Sequence, residues 1–305
     1  MRTETYTVDA DSVRIDRWLS EHSEVSRSRI QELIDEGRVA VNGKEVRTSY
    51  KVCSGDTIVM EIPDDTVLDV LPEDIPLDIL YEDHDILIVN KPKGMVVHPA
   101  PGVSHGTLVN AVLYHCDDLS GINGVLRPGI VHRIDKDTTG CIVVCKNDKA
   151  HESIAAQLAD KTCHREYLAL VKGIIHEESG MIDAPIGRDA RDRQKMCVTE
   201  RGGRSARTRF RVLERFSGCT LVECTLETGR THQIRVHMKY IGHPVIGDVK
   251  YYHPCRLQDT QGQVLHAYRI TLVHPRTGET ITAEAPLPAY FEALLKELRE
   301  GRSIE

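Results

Sequence analysis

The chain has 305 residues, a formal charge of −7 at pH 7 and 28% charged residues, the proportions of a folded protein of about two domains. This composition excludes a wholly basic surface, and the net charge taken alone disfavours a polyanionic partner. No apolar run approaches the ~20 residues of a membrane span, and the N-terminus lacks a signal-peptide core. A cytoplasmic protein that binds no membrane is therefore expected. The nine cysteines include no Cys-x-x-Cys pair, which favours free thiols.

The charge is distributed unevenly along the chain. Residues 61–85 contain ten acidic residues, three prolines and no Lys or Arg, a composition typical of an extended linker. Residues 186–239, by contrast, hold thirteen Lys or Arg against six acidic residues. We therefore predict a small domain over residues 1–60, an acidic linker over 61–79 and a large domain over 80–305, with basic surfaces outside the linker.

The first predicted elements are two short helices and a hairpin. Apolar residues at i, i+3 and i+4 indicate an amphipathic helix within residues 11–22. A second helix follows, in which Ser28 and Gln31 fit a capping box. Asn42-Gly43 is typical of the two-residue turn that joins the strands of a hairpin.

Three segments of this region resemble the S4 RNA-binding module. They are Arg14-Ile15-Asp16-Arg17-Trp18-Leu19, Ser26-Arg27-Ser28-Arg29 and Gly37-Arg38-Val39-Ala40-Val41-Asn42-Gly43. The resemblance implies a small N-terminal α/β domain whose basic side chains contact RNA phosphates, which position RNA without specifying its sequence. The residues predicted for this role are Arg17, Arg27, Arg29 and Lys44. The alternative is a helical surface with solvated arginines.

The large domain begins with a predicted buried strand at residues 86–89, and Thr107 is the predicted cap of the following helix. A second buried strand at 141–145 precedes a helix around Ile154. Six further strands and a terminal helix are predicted over residues 166–172, 181–186, 205–213, 219–226, 267–273, 280–285 and 291–298. The predicted fold class is α+β, with a mixed, mostly antiparallel β-sheet.

The densest polar sequence is His132-Arg133-Ile134-Asp135-Lys136-Asp137-Thr138-Thr139-Gly140. An EF-hand needs a Glu where Lys146 stands, and a protein-kinase catalytic loop needs an Asn where Gly140 stands. A phosphatase motif would match Asp135, Asp137 and Thr139, but no apolar strand leads into these residues. From this loop alone, a polar turn that closes a hairpin stays open as an alternative.

The loop and three companion motifs together resemble the RluA-type pseudouridine synthase family. The companions are Asn90-Lys91-Pro92-x-Gly94-x-Val96-Val97-His98-Pro99, Arg165-Glu166-Tyr167-Leu168-Ala169-Leu170-Val171-x-Gly173 and Thr228-Gly229-Arg230-Thr231-His232-Gln233-Ile234-Arg235-Val236-His237-Met238. The resemblance implies the pseudouridine synthase fold and its reaction, in which the uridine N-glycosidic bond breaks and the uracil rejoins through C5. That isomerisation includes no redox step or group transfer, so no cofactor and no metal are expected.

The resemblance also implies roles for the central residues. Asp135 is the implied catalytic carboxylate, Arg235 its cationic partner and Tyr167 the active-site tyrosine. Arg133 is implied to enter the RNA where the uridine has left its stack. The residues around Arg235 fit a short helix that Thr231 caps, which places the arginine near the helix N-terminus.

Supporting and RNA-binding residues complete the predicted site. Lys91 and Pro92 are expected to shape the cleft wall, and Thr138 to support the loop. Arg207 and Arg209 alternate with apolar residues along one predicted strand, so one strand face is basic and is predicted to bind phosphates. A solvated arginine face is the alternative. Structural or RNA-contact roles, and no metal site, are expected for His132, His232 and His237.

The S4-like module in front makes the chain similar to the RluD subgroup, which implies large-subunit ribosomal RNA as the partner. Pre-ribosomal particles and a monomeric enzyme fit the same expectation. Three alternatives are a non-catalytic S4-type RNA-binding factor, a pseudouridine synthase acting on transfer RNA, and a magnesium-dependent phosphotransferase using Asp135 and Asp137. The presence of both Asp135 and Tyr167 favours a catalytic protein over the first of these.

Overall fold

The structure, a computed structural model, describes residues 2–23, 25, 27–62, 70–99, 103–116, 119–122, 128–252, 260 and 262–301. The chain forms two compact units, Met1–Val67 and Leu68–Glu305. In the described part of the chain, no helix combines the length and the apolar character needed to cross a membrane.

The first unit contains two helices and small antiparallel sheets. Its elements are β1 (Arg2–Thr7), β2 (Val13–Arg14), α1 (Ile15–His22), α2 (Arg27–Asp35), β3 (Val39–Val41), β4 (Lys44–Glu45), β5 (Lys51–Val52) and β6 (Thr57–Ile62). One sheet has the order β1-β6-β3-β4, and β2 pairs with β5. Asn42 and Gly43 turn between β3 and β4 with φ of 51° and 77°, which confirms the predicted hairpin turn.

The apolar stripe of α1 forms part of the core of this unit. Ile15, Trp18 and Leu19 are buried and pack in one cluster with Ile30 of α2 and Ile58 of β6. Full burial of an aliphatic side chain contributes about 1.5–3 kcal/mol, so this stripe holds α1 on the sheet. The spacing of the apolar residues therefore predicted both the helix and its buried face.

The start of α2 differs from the predicted capping box. The helix begins at Arg27, and the side chain of Ser28 lies outside the described atoms. Gln31 turns inward, and its Nε2 donates to Asp16 Oδ2 at 2.6 Å. Asp16 is fully buried and also accepts hydrogen bonds from Arg14 and Arg27. A buried carboxylate needs such donors, which explains why Gln31 serves Asp16 instead of the helix end.

The acidic segment is only partly a linker. Glu61 and Ile62 belong to β6, and residues 63–69 lie outside the described part of the chain. Val70 is buried in the core of the second unit, and the Glu73 amide donates to the Asn110 carbonyl at 3.0 Å. Several of its acids contact basic side chains of the second unit, in the pairs Glu73–His105, Glu82–Lys146, Asp83–His274 and Asp85–Arg276. Because these carboxylates have partners, residues 70–85 pack instead of extending.

The second unit contains a long sheet with helices on both faces. Its elements are β7 (Ile79–Glu82), β8 (Ile86–Lys91), α3 (Leu108–His115), β9 (Thr139–Cys145), α4 (Asp148–Asp160), β10 (His164–Lys172), β11 (Ser179–Asp183), β12 (Ile186–Arg188), β13 (Met196–Val198), β14 (Arg207–Phe216), β15 (Cys219–Leu226), α5 (Gln233–Tyr240), β16 (Leu265–Val273), β17 (Thr280–Glu284) and α6 (Ala289–Arg299). The sheet order is β11-β14-β15-β10-β16-β9-β8-β7, with β17 also paired to β16. Among the described strand pairs only β16–β9 is parallel, so the predicted α+β class with a mostly antiparallel sheet is confirmed.

Burial on both faces explains the continuous apolar runs of β8 and β9. Leu87 and Ile142 pack in the cluster that includes α3 and α5, whereas Ile88 and Val143 pack in the cluster that includes α4. Thr107 caps α3 as predicted, with Asn110 completing a capping box. All cysteines in the described part of the chain are free thiols.

Two irregularities lie at the middle of the sheet. Gly140 has φ +106°, and a Cβ there would lie 2.2 Å from the Ala267 carbonyl oxygen, so the parallel pairing of β9 with β16 requires glycine. On the other side of β16, the register with β10 shifts between Glu166 and Leu168. Two residues of β16 therefore lie opposite Tyr167, a β-bulge of the kind that redirects side chains near active sites.

Candidate active site

Three side chains from distant parts of the sequence line one cavity of the second unit. Asp135 comes from the loop before β9, Tyr167 from β10 and Arg235 from α5. The motifs predicted these residues as one group, and the structure brings them together. Other polar residues that line the cavity are Arg133, Thr138, Arg165, Arg230, Thr231, His232 and Gln233.

An ion pair joins Asp135 to Arg235. Arg235 Nη1 donates to Asp135 Oδ2 at 2.7 Å. The same guanidinium donates to Asp248 through Nε at 2.7 Å and Nη2 at 2.8 Å. Arg235 is 5% exposed and Asp248 is fully buried, whereas the Asp135 side chain keeps 24% of its surface exposed. The Asp135 carboxylate is therefore the accessible member of this network.

Arg235 carries a fixed charge despite its burial. Burial lowers the pKa of an arginine, but the hydrogen bonds and charges of Asp248 and Asp135 outweigh this effect and raise the pKa of Arg235. A permanently charged guanidinium thus faces one oxygen of Asp135 and leaves the other oxygen free of that contact.

The start of α5 differs from the prediction that Thr231 is its cap. The N-cap is His232, in the left-handed region at φ 56°, and the Thr231 hydroxyl instead accepts from Arg133 Nη2 at 2.6 Å. The turn at His232 brings its Nδ1 within 2.6 Å of the Tyr251 hydroxyl and its Nε2 within 3.9 Å of Asp135 Oδ1. Burial lowers the pKa of His232 to about 4, so the ring is neutral at pH 7.

Tyr167 presents a buried phenol to the cavity. The residue is 5% exposed, and burial raises the pKa of its hydroxyl although the charge of Arg165 opposes this shift. The phenol therefore keeps its proton at neutral pH. It offers a ligand an apolar ring face and an O–H group at the same position.

Thr138 supports the Asp135 loop from within. Its amide donates to the Asp135 carbonyl at 3.1 Å, and its hydroxyl accepts from Gln263 Nε2 at 3.1 Å. Thr138 is buried and lines the cavity, so this placement agrees with the supporting role predicted for it.

Lys91 and Pro92 do not line the cavity that contains Asp135, contrary to the expected place in the cleft wall. They line a separate pocket, and Lys91 is completely buried. Its Nζ donates to three carbonyl oxygens, those of Pro92, Met95 and Lys136, at 2.8, 2.8 and 3.0 Å. A buried ammonium needs an acceptor for each N–H, so Lys91 holds the backbone of the loop instead of facing the cavity. Burial lowers the pKa of Lys91 to about 7.

The predicted basic face of β14 is present, and its arginines form ion pairs with acidic residues nearby. Arg207 and Arg209 are exposed and alternate with buried Thr208 and Val212, as predicted. The arginines lie outside the cavity and form the ion pairs Arg207–Asp183, Arg209–Glu227 and Arg211–Glu223. Exposed pairs contribute only about 0–1 kcal/mol, so phosphate binding by these arginines stays a prediction.

The four basic residues predicted in the first unit lie on its surface. Three of them have acidic partners, in the pairs Arg17–Glu21, Arg27–Asp16 and Arg29–Glu32. Lys44 is exposed in β4. Buried Asp16 thus fixes one of the arginines, and contact of all four with RNA stays a prediction.

Sequence reasoning gave no role to Asp248, Tyr251 or Arg165. Asp248 follows Gly247, which has φ +75° and whose added Cβ would lie 2.3 Å from the Gly262 carbonyl oxygen. The sequence signal for Asp248 was a Gly-Asp pair outside the four motifs, and such pairs are too common in turns to indicate a site. Tyr251 lies in the same turn, and Arg165 belongs to the motif that contains Tyr167.

Comparison with known proteins matches two families. Residues 85–240 match RNA pseudouridylate synthase, and residues 13–58 match the S4 domain. The chain is 56% identical over 298 residues to the uncharacterized RNA pseudouridine synthase YlyB of Bacillus subtilis, over 97% of this chain and 98% of the relative. It is 45% identical over 313 residues to the ribosomal large subunit pseudouridine synthase D of Zymomonas mobilis, over 98% of each chain.

Solved structures show a similar fold. The human RNA pseudouridylate synthase domain containing 1 has a TM-score of 0.56 with this chain and is 24% identical, over 81% of this chain and 100% of that chain. The human RNA pseudouridylate synthase domain containing 4 has a TM-score of 0.57 and is also 24% identical, over 72% of this chain and 92% of that chain.

Proposed function

Since the chain belongs to the RNA pseudouridylate synthase family, we propose that it converts specific uridines of large-subunit ribosomal RNA to pseudouridine, with Asp135 as the catalytic carboxylate. The observation that carries the proposal is the ion pair of Asp135 with Arg235 in a cavity that Tyr167 also lines. The chain is an RNA pseudouridine synthase with an N-terminal S4 domain, and what is proposed is its substrate and the roles of its residues.

The chemistry suits a carboxylate beside a fixed cation. The bond between C1′ and N1 of uridine breaks, the uracil turns, C1′ bonds to C5, and the proton of C5 is lost while N1 gains one. Asp135 acts as the nucleophile or stabilises the cationic sugar, and Arg235 keeps its charge balanced. The Tyr167 ring stacks on the uracil, and its hydroxyl lies where a proton must move.

Arg133 is the residue proposed to meet the RNA at this site. It is exposed, lines the cavity and is held by the Thr231 hydroxyl. A uridine must leave its stack before Asp135 can reach its sugar. The Arg133 side chain then occupies the space in the RNA that the flipped uridine has left.

Ribosomal RNA is the substrate that the relatives favour. Several relatives at 44–45% identity are named ribosomal large subunit pseudouridine synthase D, including those of Pseudomonas aeruginosa and Neisseria meningitidis. We propose that residues 1–60 form an S4 domain that binds this RNA and that residues 80–305 form the catalytic domain. The predicted acidic linker over 61–79 joins them, with its residues 70–79 packed in the second unit. The enzyme acts as a monomer, and it binds the RNA within pre-ribosomal particles.

The experiment that tests the role of Asp135 replaces one oxygen of its carboxylate with an amide nitrogen. Asp135→Asn is expected to reduce pseudouridine formation in ribosomal RNA by about a thousandfold or more, because a side-chain amide is not a nucleophile and carries no negative charge. The folded state should persist, since the amide still accepts from Arg235. Pseudouridine mapping of RNA from a strain lacking the gene, complemented with each variant, identifies the sites and measures the loss.

The matched control is Asp137→Asn, two residues along the same loop. Asp137 does not line the cavity, so this variant is expected to keep most of its activity. Retained turnover in Asp135→Asn would contradict the catalytic role of Asp135, and loss of pseudouridine only in Asp137→Asn would assign that role to Asp137 instead. Unchanged ribosomal RNA together with altered transfer RNA would overturn the substrate proposal.

A further inference from the structure

Arg165 is a buried arginine that has no anionic partner in the described part of the chain. It is 8% exposed, and its Nε has no hydrogen-bond partner. Among the described residues no carboxylate forms an ion pair with it. Its guanidinium packs against Gly229, where an added Cβ would lie 2.9 Å from Arg165 Nη1. A buried charge of this kind is strongly disfavoured unless something pairs with it, so the site is built for an anion that arrives from outside.

The guanidinium faces two neighbouring cavities. Arg165 lines the cavity of Asp135 and also a second cavity, and Arg133 and Gly229 line both. The residues described around the second cavity include no carboxylate. The positive charge of the two arginines is therefore uncompensated on the side away from Asp135.

His132 is a neutral residue in the lining of the second cavity. The Val143 amide donates to His132 Nε2 at 3.1 Å, so the proton of the neutral ring lies on Nδ1. That Nδ1 is buried and has no hydrogen-bond partner. Burial and the charge of Arg165 lower the pKa of His132 to about 3, which keeps the ring neutral at pH 7. The second cavity is thus lined by two guanidinium groups and a neutral imidazole.

We propose that Arg165 binds an RNA phosphodiester adjoining the target uridine, an inference that rests on the proposed function. A sugar held at Asp135 carries a phosphate on each side, and these phosphates are the nearest anions of the substrate. The planar guanidinium matches two phosphate oxygens, and a diester keeps its charge at any physiological pH. The bound phosphate supplies the counter-charge that the protein does not provide, and it fixes the sugar against Asp135.

The test uses the full-length protein and a short RNA containing the mapped uridine, with an uncharged methylphosphonate replacing in turn the phosphate on its 5′ and its 3′ side. Arg165→Met is expected to weaken binding of unmodified RNA by about ten- to a hundredfold. It should also make the slope of log affinity against log salt less negative by about 0.7. The wild-type protein should bind one of the two modified RNAs more weakly than unmodified RNA by a similar factor. Arg165→Met should bind that modified RNA only slightly more weakly than it binds unmodified RNA.

Arg299→Met provides the matched control. Arg299 is exposed on α6, pairs with Glu214 and lines neither cavity, so the same change of charge should leave affinity and salt slope nearly unaltered. If Arg165→Met does not fold, Gly229→Ala keeps the charge and displaces Nη1, and should weaken binding of unmodified RNA in the same sense. Wild-type affinity that both uncharged linkages leave unchanged would overturn the phosphate site. A wild-type protein that binds through this site but forms no pseudouridine would contradict the proposed function alone.

Discussion

Arg235 connects the two carboxylates of the site through different edges of one guanidinium. Asp135 accepts from Nη1 only, while Asp248 accepts from both Nε and Nη2. The bidentate pair fixes the plane of the guanidinium more firmly than the single bond does. Asp248 therefore determines where the Nη1–H that reaches Asp135 points, and it acts as a positioning residue.

Asp248→Asn is expected to lower the free energy of unfolding by about 3 kcal/mol, because it removes one charge of a buried pair. The value lies at the lower end of the range for such pairs, since Arg235 keeps Asp135 as a partner. We also expect kcat/KM on the target RNA to fall more than tenfold, because the guanidinium can then rotate. Urea unfolding and pseudouridine assays measure the two effects.

The control is Asp192→Asn, which removes an exposed carboxylate paired with Lys195. This substitution should change stability by no more than about 0.5 kcal/mol and should leave activity intact. Equal stability of Asp248→Asn and wild type would contradict the positioning role.

The sequence predicted the central residues of the site but not their supports. Asp135, Tyr167 and Arg235 each lie in a motif, so the sequence alone groups them. Asp248 pairs with Arg235 only because the chain turns sharply at Gly247, against the backbone of Gly262. That close approach depends on two loops distant in sequence, and no local pattern encodes it.

The parallel pairing of β16 with β9 is the element-scale feature that places the Asp135 loop. β9 begins at Thr139, directly after the loop, and its first residues pair with His266 and Ala267. Thr139 Oγ1 also lies 2.7 Å from His266 Nδ1, so side chains reinforce the pairing. The sequence predicted the strand, but the order of strands in the sheet needs pairings between residues more than a hundred positions apart.

Gly140→Ala is expected to lower the free energy of unfolding by about 3 kcal/mol or more. The methyl group would overlap the Ala267 carbonyl, and φ +106° is strained for any residue with a Cβ. The loop before β9 should move with the strand, so activity should fall as well. Thermal unfolding measured by circular dichroism checks the loss of stability.

The matched glycine is Gly121, where an added Cβ meets nothing within 4 Å and φ is not positive. Gly121→Ala should be nearly neutral, within about 0.5 kcal/mol. A Gly140→Ala protein as stable as this control would show that the parallel pairing tolerates a side chain and that β16 does not fix the loop.

At the scale of the whole molecule, the net charge of −7 conceals local compensation. Described acids of residues 73–85 pair with cations of the second unit, and the arginines of β14 pair with acids of neighbouring strands. Part of the charge that the sequence concentrates in these two segments is thus paired within the fold. Arg165, beside the cavity, is a buried positive charge for which the described part of the chain supplies no acidic partner, and an RNA phosphate is the anion proposed to bind there.

The two units have separate hydrophobic cores, and this separation gives a prediction for Asp16. Burial raises the pKa of this carboxyl, but hydrogen bonds from Arg14, Gln31 and Arg27 outweigh it and lower the pKa from 3.8 to about 2. Because the folded pKa lies below the unfolded one, Asp16 stabilises the first unit above pH 4 by about 2 kcal/mol. This contribution is lost as the pH falls from about 4 to about 2.

Asp16→Asn should therefore destabilise the first unit by about 2 kcal/mol at pH 7 and by almost nothing near pH 2. Trp18 is the only tryptophan of the chain and is buried in the first unit, so its fluorescence in urea follows that unit. The buried cysteines of the described chain all lie in the second unit, and pulse labelling of their thiols follows its unfolding. The fluorescence transition should shift while the labelling transition stays unchanged.

The control is Glu21→Gln, which changes an exposed partner of Arg17 on the same helix and should shift neither transition. A joint shift of both transitions in Asp16→Asn would show that the two cores unfold as one, because lower stability of the first unit would then lower the stability of the second.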